Sequence, residues 1–150
     1  PHPGEMARLI GTTIDYVQTH RVEVARELAT TRDLYVVLKG ARTVVATPAG
    51  AVLINVTGNP GMATGGTGDV LAGVVAAWLA QLLDAEAACG LGVFLHGLAG
   101  DLAAAEQGEV GLIASDLVNH LGPAVLALHD PSECDESPTL RRQRLRAAGP

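Results

Sequence analysis

The sequence predicts a layered α/β domain in which apolar helices pack against a small sheet. The order of its elements is one reason, because helical segments precede three short β-branched segments and long apolar helices follow them. Composition is another, since apolar residues make up 48% of the 150 residues, which is enough for a core. A third is the change from helical spacing to continuous apolar runs after Arg32.

Two helices are predicted at the start of the chain. The opening stretch "PHPGEMARLIG" predicts a turn that leads into a short helix, because Pro3 restricts the backbone at its entry. Apolar residues recur at helical spacing over 22–32, which predicts a helix with one apolar face. The sequence does not begin with methionine, so we expect it to start inside a longer protein.

Three strands are predicted next, at 34–39, 43–47 and 51–56, because these runs are apolar and β-branched. Pro48 and Gly50 suit the turn between the last two strands, since proline presets φ and glycine allows positive φ. Three strands make a small sheet for so much apolar helix. We therefore expect the sheet to be completed by residues that precede Pro1 or by another chain.

The remaining apolar segments predict three helices, at 69–83, 86–107 and 112–128. The first is apolar nearly all round, so we expect it to be buried between layers. The second contains glycines that would let another backbone approach closely, at Gly90, Gly92, Gly97 and Gly100. In the third, Ser115 is the expected N-cap and Pro123 the expected kink or break.

Composition also limits the classes of function. The predicted domain covers 1–128, and the polar segment 129–150 is predicted to be a disordered tail. A net charge of −6 and 3% aromatic residues argue against nucleic acid as a partner. Cys89 and Cys134 lie far apart, which favours a reduced, cytoplasmic protein without a metal site. The apolar run 70–83 is too short to cross a bilayer, so we expect no membrane partner.

The stretch "GNPGMATGGTGDVLAG", from Gly58 to Gly73, predicts an anion site. Six of its sixteen residues are glycine, and it leads into a helix. Glycine lets backbone N–H groups approach a ligand closely, and a helix N-terminus adds partial positive charge, so phosphate is the natural ligand. Neither the Walker A pattern nor the dinucleotide fingerprint is present, so a different type of phosphate loop is needed.

Asp69 is the one carboxylate at the edge of these glycines. It has two interpretations: a helix N-cap, a position that Asp favours, or a general base. As a base it would take the proton of a hydroxyl that attacks the terminal phosphate of a nucleotide. The two interpretations are compatible, because a base at a helix start is held rigidly.

Four ordered segments resemble a known family. "NVTGNPGMATGGTGDVLAGVVAAWLAQ" closely resembles the signature of the ADP-dependent NAD(P)H-hydrate dehydratases, whose larger relatives are the ribokinase-like kinases. "PHPGEMARL", "VVLKGARTVVATPAG" and "HGLAGDLAA…G…GLIASDL" match in the same order, so that the resemblance extends over 1–128. It implies a partial ribokinase-like layered sheet that is truncated at its N-terminal side, because known members have a domain about twice this length.

The resemblance also implies an activity. The family repairs NADH or NADPH to which water has added, by phosphorylating the new hydroxyl and eliminating phosphate. The implied partners are this hydrate and an adenine nucleotide, with ADP as phosphoryl donor and Mg²⁺ as cofactor. We expect the full-length protein to be a homo-oligomer, and this chain alone to have little or no turnover.

The resemblance assigns roles to residues of this sequence. His2 and Asp69 match positions that contact the substrate, and Asp69 is the implied base. The residues implied to contact the nucleotide are Lys39, Gly40, Ala41, Arg42 and Thr43 in one loop, and Gly65, Gly66, Thr67 and Gly68 in the other. Apart from the resemblance, Lys39 follows a predicted strand at a glycine turn, where its charge could reach a phosphate.

Other polar residues have simpler interpretations. We expect His96 to be a hydrogen-bonded core histidine, and Asp101 and Asp116 to cap helices or face solvent. Glu5 would pair with a base or cap the first helix, and Asn59 would brace the glycine loop. Two alternative functions stay open: a ribokinase-like kinase acting on a small molecule such as a vitamin alcohol, and a non-catalytic remnant that binds nucleotide.

Overall fold

A computed structural model describes residues 1–128, so the predicted tail at 129–150 lies outside the described residues. These residues divide into two compact units. The first unit comprises 1–57 and 71–94, and the second comprises 58–70 and 95–128 of the described residues. The elements are α1 (Pro3–Ile10), α2 (Ile14–Thr19), α3 (Arg21–Arg32), β1 (Val36–Leu38), β2 (Val44–Ala46), β3 (Val52–Ile54), α4 (Thr67–Leu82), α5 (Ala85–Gln107) and α6 (Ala114–Ala127).

The first unit is built around an antiparallel sheet of order β1-β2-β3. Val37 faces Val45 across the first pair, and Val45 faces Leu53 across the second. The three predicted strands are thus confirmed, although each has only three residues. The turn between the last two contains Gly50 at φ 87°, the positive φ that the sequence predicts there.

At β2 the side chains on both faces of this sheet are buried, whereas Leu53 and Ile54 of β3 are exposed. Successive side chains of a strand point to opposite sides, so the two faces contact different clusters. Leu38, Val44 and Ala46 belong to one buried cluster, which they share with Met6 of α1 and Val24 of α3. On the other face, Val45 packs in a second cluster whose further buried members are Leu71, Cys89 and Val93. The layered arrangement that the sequence predicts is therefore present within the first unit.

The second unit has its own apolar cluster. Ala103 and Ala104 of α5 pack with Leu112 and with Leu117 of α6, and Met62 lies against this group. Asp116 caps α6, because its carboxylate accepts a hydrogen bond from the Ile113 N–H at 2.9 Å. This confirms the capping role expected for Asp116.

Two expectations for α6 are corrected by the structure. The N-cap of the helix is Ile113, so Ser115 lies inside the first turn and the prediction that it caps the helix is wrong. The N–H of Ile113, at the helix start, donates to the carboxylate of Asp116 instead. The helix also continues past Pro123 to Ala127, so no break occurs. A proline removes one N–H donor and its ring crowds the preceding turn, but the hydrogen bonds of the neighbouring turns are sufficient to continue the helix here.

Helix α4 departs from the sequence-based expectation. It begins at Thr67, and it buries one face rather than its whole circumference. Leu71 and Val74 are 6% and 8% exposed, whereas Leu79 and Leu82 are 42% and 43% exposed. The prediction of a helix buried on all sides is therefore wrong for the described residues. Composition shows which faces a helix is able to bury, but the neighbouring elements decide which faces it does bury.

Helix α5 is the one helix within 1–128 whose length and composition suit a membrane span. It has 23 residues, with a mean hydropathy of 1.4 over its most apolar window. However, 61% of that window is buried inside the protein, as is typical of a core helix. Its glycines bring neighbours close, since a Cβ at Gly92 would lie 2.8 Å from Cγ2 and 3.3 Å from Cα of Val75.

We predict opposite effects for two glycine-to-alanine changes in helices of the first unit. Gly92→Ala should lower the free energy of unfolding by about 1–3 kcal/mol, because the new Cβ meets the backbone of Val75. Gly73→Ala is the matched control, since no atom lies within 4 Å of its Cβ position. It should raise the free energy of unfolding by up to about 1 kcal/mol through helix propensity. Urea denaturation measures both, and equal shifts would contradict the packing argument.

Candidate active site

His2 is held at the start of α1 by backbone contacts. Its Nδ1 accepts hydrogen bonds from the N–H groups of Gly4 and Glu5 at 3.0 and 3.3 Å. In return the His2 N–H donates to the Glu5 carboxylate at 2.6 Å, which completes a capping box. Because Nδ1 is an acceptor here, Nε2 carries the proton of the neutral ring. The half-exposed imidazole can therefore offer Nε2–H to a ligand.

Glu5 also faces Lys39. The Lys39 Nζ lies 3.8 Å from Glu5 Oε2, and the His2 Nε2 lies 3.5 Å from Glu5 Oε1. The hydrogen bond from the His2 N–H is the main cause that lowers the pKa of Glu5. Burial opposes it, and the charges of Lys39 and His2 add to the lowering. Both expected roles of Glu5, as a cap and as the partner of a base, are confirmed. His2, Glu5 and Lys39 thus form one polar group.

The loop that follows β1 has a defined backbone. Gly40 has φ 130° and Arg42 has φ 54°, so two of its residues lie in the left-handed region. The Thr43 hydroxyl closes the loop by donating to the Gly40 carbonyl at 3.0 Å, and Ala41 is exposed at its tip. Lys39 is anchored because its N–H donates to the Pro1 carbonyl at 2.8 Å.

Arg21 braces the same loop and was not predicted from the sequence. Its guanidinium donates to the carbonyls of Leu38 and Lys39 at 3.0 and 3.2 Å, and burial lowers its pKa. A Cβ on Gly40 would lie 3.2 Å from Arg21 Nη1, which adds a second reason for glycine there. These bonds join residues 17 and 18 positions apart, so no local pattern indicates them.

In the second unit, the glycine-rich loop leads directly into α4. Gly65 and Gly66 precede the helix, and Gly66 has φ 89°. Thr67 is buried at the first helical position, with its hydroxyl within hydrogen-bond distance of the carbonyls of Met62 and Thr64, at 2.9 and 3.0 Å. The hydroxyl therefore closes the loop against the helix start.

Gly68 and Asp69 lie in the first turn of α4. Asp69 is the third residue of the helix, and its N–H donates to the Gly66 carbonyl at 3.1 Å. The N-cap interpretation of Asp69 is therefore wrong, because the helix already begins at Thr67. Its side chain is exposed, and no residue within 1–128 forms a hydrogen bond or ion pair with its carboxylate. The structure thus brings Gly65, Gly66, Thr67, Gly68 and Asp69 together in this unit.

Buried His96 supports the first turn of α4. Its Nε2 lies 2.8 Å from the Thr67 carbonyl oxygen, and because that oxygen only accepts, Nε2 must carry a proton. Burial lowers the pKa of His96, and the bond to Thr67 opposes this in part. The expectation of a hydrogen-bonded core histidine is confirmed.

The start of the loop is held by Asp101 on α5. Its carboxylate accepts hydrogen bonds from the Gly58 N–H at 2.8 Å and from Asn59 Nδ2 at 3.0 Å. The other end of the Asn59 amide accepts from the Gly61 N–H at 3.0 Å. Asn59 braces the loop as expected. The expectation that Asp101 caps a helix or faces solvent is wrong, because its acceptors are used by a loop 42 and 43 residues away.

Comparison with known proteins gives consistent matches. The model of one protein family, described as NAD(P)H-hydrate dehydratase, matches residues 1–122. The chain is 53% identical over 133 residues to a bifunctional NAD(P)H-hydrate repair enzyme from Thermofilum pendens. This match covers 89% of the chain and 25% of that enzyme.

Solved structures agree with these matches. An ADP/ATP-dependent NAD(P)H-hydrate dehydratase from Bacillus subtilis, co-crystallised with ATP/Mg²⁺ and soaked with CoA, matches at 37% identity with a TM-score of 0.82. The match covers 85% of this chain and 47% of that enzyme. A ribokinase-like superfamily protein from Enterococcus faecalis matches at 34% identity with a TM-score of 0.63, over 83% of this chain and 42% of that one. The resemblance and the ribokinase-like fold are thus confirmed, and the chain spans between a quarter and half of the proteins it matches.

We predict that His96 makes stability depend on pH. Its pKa is lowered in the folded state, so the unfolded chain binds the proton first as the pH falls below about 6.5. The stability it contributes is complete above that pH and declines below it. His96→Gln keeps an amide donor for the Thr67 carbonyl without titrating. The loss of unfolding free energy between pH 7.5 and pH 5.5, measured by urea denaturation, should therefore be smaller in the variant, and an equal loss would contradict this role.

Proposed function

The chain belongs to the NAD(P)H-hydrate dehydratase family, and on that premise we propose that its protein dehydrates hydrated NADH and NADPH with ADP as phosphoryl donor. The enzyme would be a lyase that repairs nicotinamide cofactors in the cytoplasm. The main observation in support is the loop from Gly58 to the first turn of α4. In this loop Gly65, whose Cβ position is unobstructed, precedes the exposed carboxylate of Asp69, which is unpaired within 1–128.

Gly65 supports a phosphate ligand at this loop. A Cβ at Gly65 would meet no atom within 4 Å, and its φ is not among the positive values. Neither packing nor backbone conformation within 1–128 therefore requires glycine at this position. A ligand that approaches the backbone closely would require it. The N-terminus of α4, where the helix dipole places partial positive charge, would stabilise the negative charge of that ligand.

Asp69 would act as the general base. Its carboxylate would take the proton of the substrate hydroxyl while that oxygen attacks the terminal phosphorus of ADP, and the bond from phosphorus to the leaving oxygen of AMP would break. Loss of the phosphate together with a proton from the neighbouring ring carbon would then restore the ring double bond. The exposure of Asp69 supports this role, because a base must reach the hydroxyl it deprotonates.

His2 and Lys39 would supply contacts to substrate and nucleotide. The two backbone N–H groups occupy Nδ1 of His2, so the donor to the hydrate would be Nε2–H, which lies 3.5 Å from Glu5 Oε1. Lys39 would direct its charge to the nucleotide, together with Gly40, Ala41, Arg42 and Thr43 of its loop. Within 1–128 no group of three or more His, Cys, Asp or Glu could hold a metal. Mg²⁺ commonly binds substrate phosphates and keeps several waters, and it would neutralise phosphate charge here.

We predict that Asp69→Asn reduces turnover by at least about 100-fold, because removal of a general base typically costs that much. Glu86→Gln is the matched control, since Glu86 is likewise an exposed acid in the first turn of a helix, α5. The assay follows recovery of the dihydronicotinamide absorbance from NADH hydrate with ADP and Mg²⁺. It is run on this chain and on the complete polypeptide of its reading frame.

The outcomes separate the candidate functions. Near-normal turnover by Asp69→Asn would contradict the role of Asp69 as base. If the complete wild-type polypeptide produces no NADH, dehydration itself is contradicted. A stable phosphorylated product would favour the kinase alternative, and binding of ADP without any reaction would favour the remnant.

We predict a smaller effect for Glu5→Gln in the same assay. The glutamine oxygen can still accept from the His2 N–H, so α1 should keep its cap, but the charge facing Lys39 is lost. The KM for ADP should rise by no more than about 5-fold, because exposed ion pairs contribute little. Thermal unfolding should be unchanged. A rise as large as that caused by Lys39→Ala would show that Glu5 does more than orient the ammonium group.

A further inference from the structure

The carboxylate of Asp101 and the amide of Asn59 form one chain of hydrogen bonds. Asp101 accepts from the Gly58 N–H and from Asn59 Nδ2, and Asn59 Oδ1 accepts from the Gly61 N–H. Both ends of the amide are used, so the orientation of Asn59 is fixed by its partners. Both carboxylate oxygens of Asp101 are used as well. The first four residues of the loop are thereby tied to α5.

The loop also fits closely against the rest of its unit. A Cβ at Gly61 would lie 2.5 Å from the Glu109 carbonyl oxygen, so only glycine fits there without a backbone shift. A Cβ at Gly100 would collide with the side chain of Met62. Pro60 to Met62 form a single 3₁₀ turn, and the Met62 carbonyl is within bonding distance of the Thr67 hydroxyl. The contacts therefore continue from Asp101 to the first residue of α4.

We propose that Asp101 and Asn59 are positioning residues that hold 58–66 in the shape that presents Gly65 and Gly66 to the phosphates of ADP. The inference rests on the proposed function, because it assumes that this loop binds the nucleotide. Asp101 acts through Asn59 and the Gly58 N–H, with its oxygens engaged by the loop rather than by a ligand. A bond network of this kind, with an ionised acceptor, is stronger than neutral hydrogen bonds.

The test exchanges the two side chains. In Asp101→Asn, the amide has one acceptor oxygen for two donors, so one donor of the loop loses its partner. In Asn59→Asp, two carboxylates face each other. In the double variant Asp101→Asn with Asn59→Asp, the new amide accepts from the Gly58 N–H and donates to the new carboxylate. That carboxylate can still accept from the Gly61 N–H.

Each single variant should raise the KM for ADP, and the Kd for ADP in titration calorimetry, by about 10- to 100-fold, as expected for loss of a charged hydrogen bond. The kcat should change less. The double variant should return both constants to within about 3-fold of wild type. Asp116→Asn is the matched control, because Asp116 also binds a backbone N–H but lies on α6. It should leave the KM unchanged.

Amide hydrogen exchange of 58–66 gives a readout that does not depend on the reaction. Faster exchange in both single variants and recovery in the double variant support the proposal even if no hydrate is converted, provided that the Kd for ADP follows the same pattern. Single variants that unfold at a lower temperature but keep the wild-type KM and Kd would overturn it, because the network would then be structural only. Wild-type protein that binds no ADP would also overturn it.

Discussion

The hydrogen bond from buried His96 to the Thr67 carbonyl is the interaction on which the candidate site depends most directly. Thr67 is the first residue of α4, and its hydroxyl reaches back to the carbonyls of Met62 and Thr64. One residue therefore joins a core histidine, the helix start and the end of the glycine loop. Gly68 and Asp69 follow Thr67 in the same turn, so their positions depend on these contacts of Thr67.

In each of the two units, a charged side chain holds a loop by hydrogen bonds to its backbone. In the first unit, Arg21 donates to the carbonyls at the end of β1, so that the loop of Lys39 to Thr43 starts from a fixed point. In the second unit, Asp101 accepts from the start of the glycine loop. A charged side chain on a helix thus holds each of the two backbone segments. Loops rich in glycine lose more conformational entropy on ordering, and such bonds offset that loss.

Most of the fold could be predicted from the sequence, because apolar period and turn residues act locally. The strands, α1, α3 and α5 follow from such patterns, whereas α2 was missed because its six residues are too few to show a period. The burial of α4 was mispredicted since its composition does not identify its neighbours. In the candidate site, the glycines and Asp69 were predicted from contiguous residues. Arg21 and Asp101 were not, because their partners lie 17 to 43 residues away.

The open space around Gly65 has a further consequence for work on this family. At Gly61 the packing requires glycine, because a Cβ would collide with the Glu109 backbone. At Gly65 no atom of the described chain lies within 4 Å of the Cβ position, so packing does not require glycine there. Under the proposed function, a methyl group at Gly65 would fill the space that the nucleotide needs, and it would meet no atom of the described chain within 4 Å. On the same proposal, the Gly65→Ala protein would be a folded reference that does not bind the nucleotide, and its signal in calorimetry or spectroscopy can be subtracted from that of the wild type.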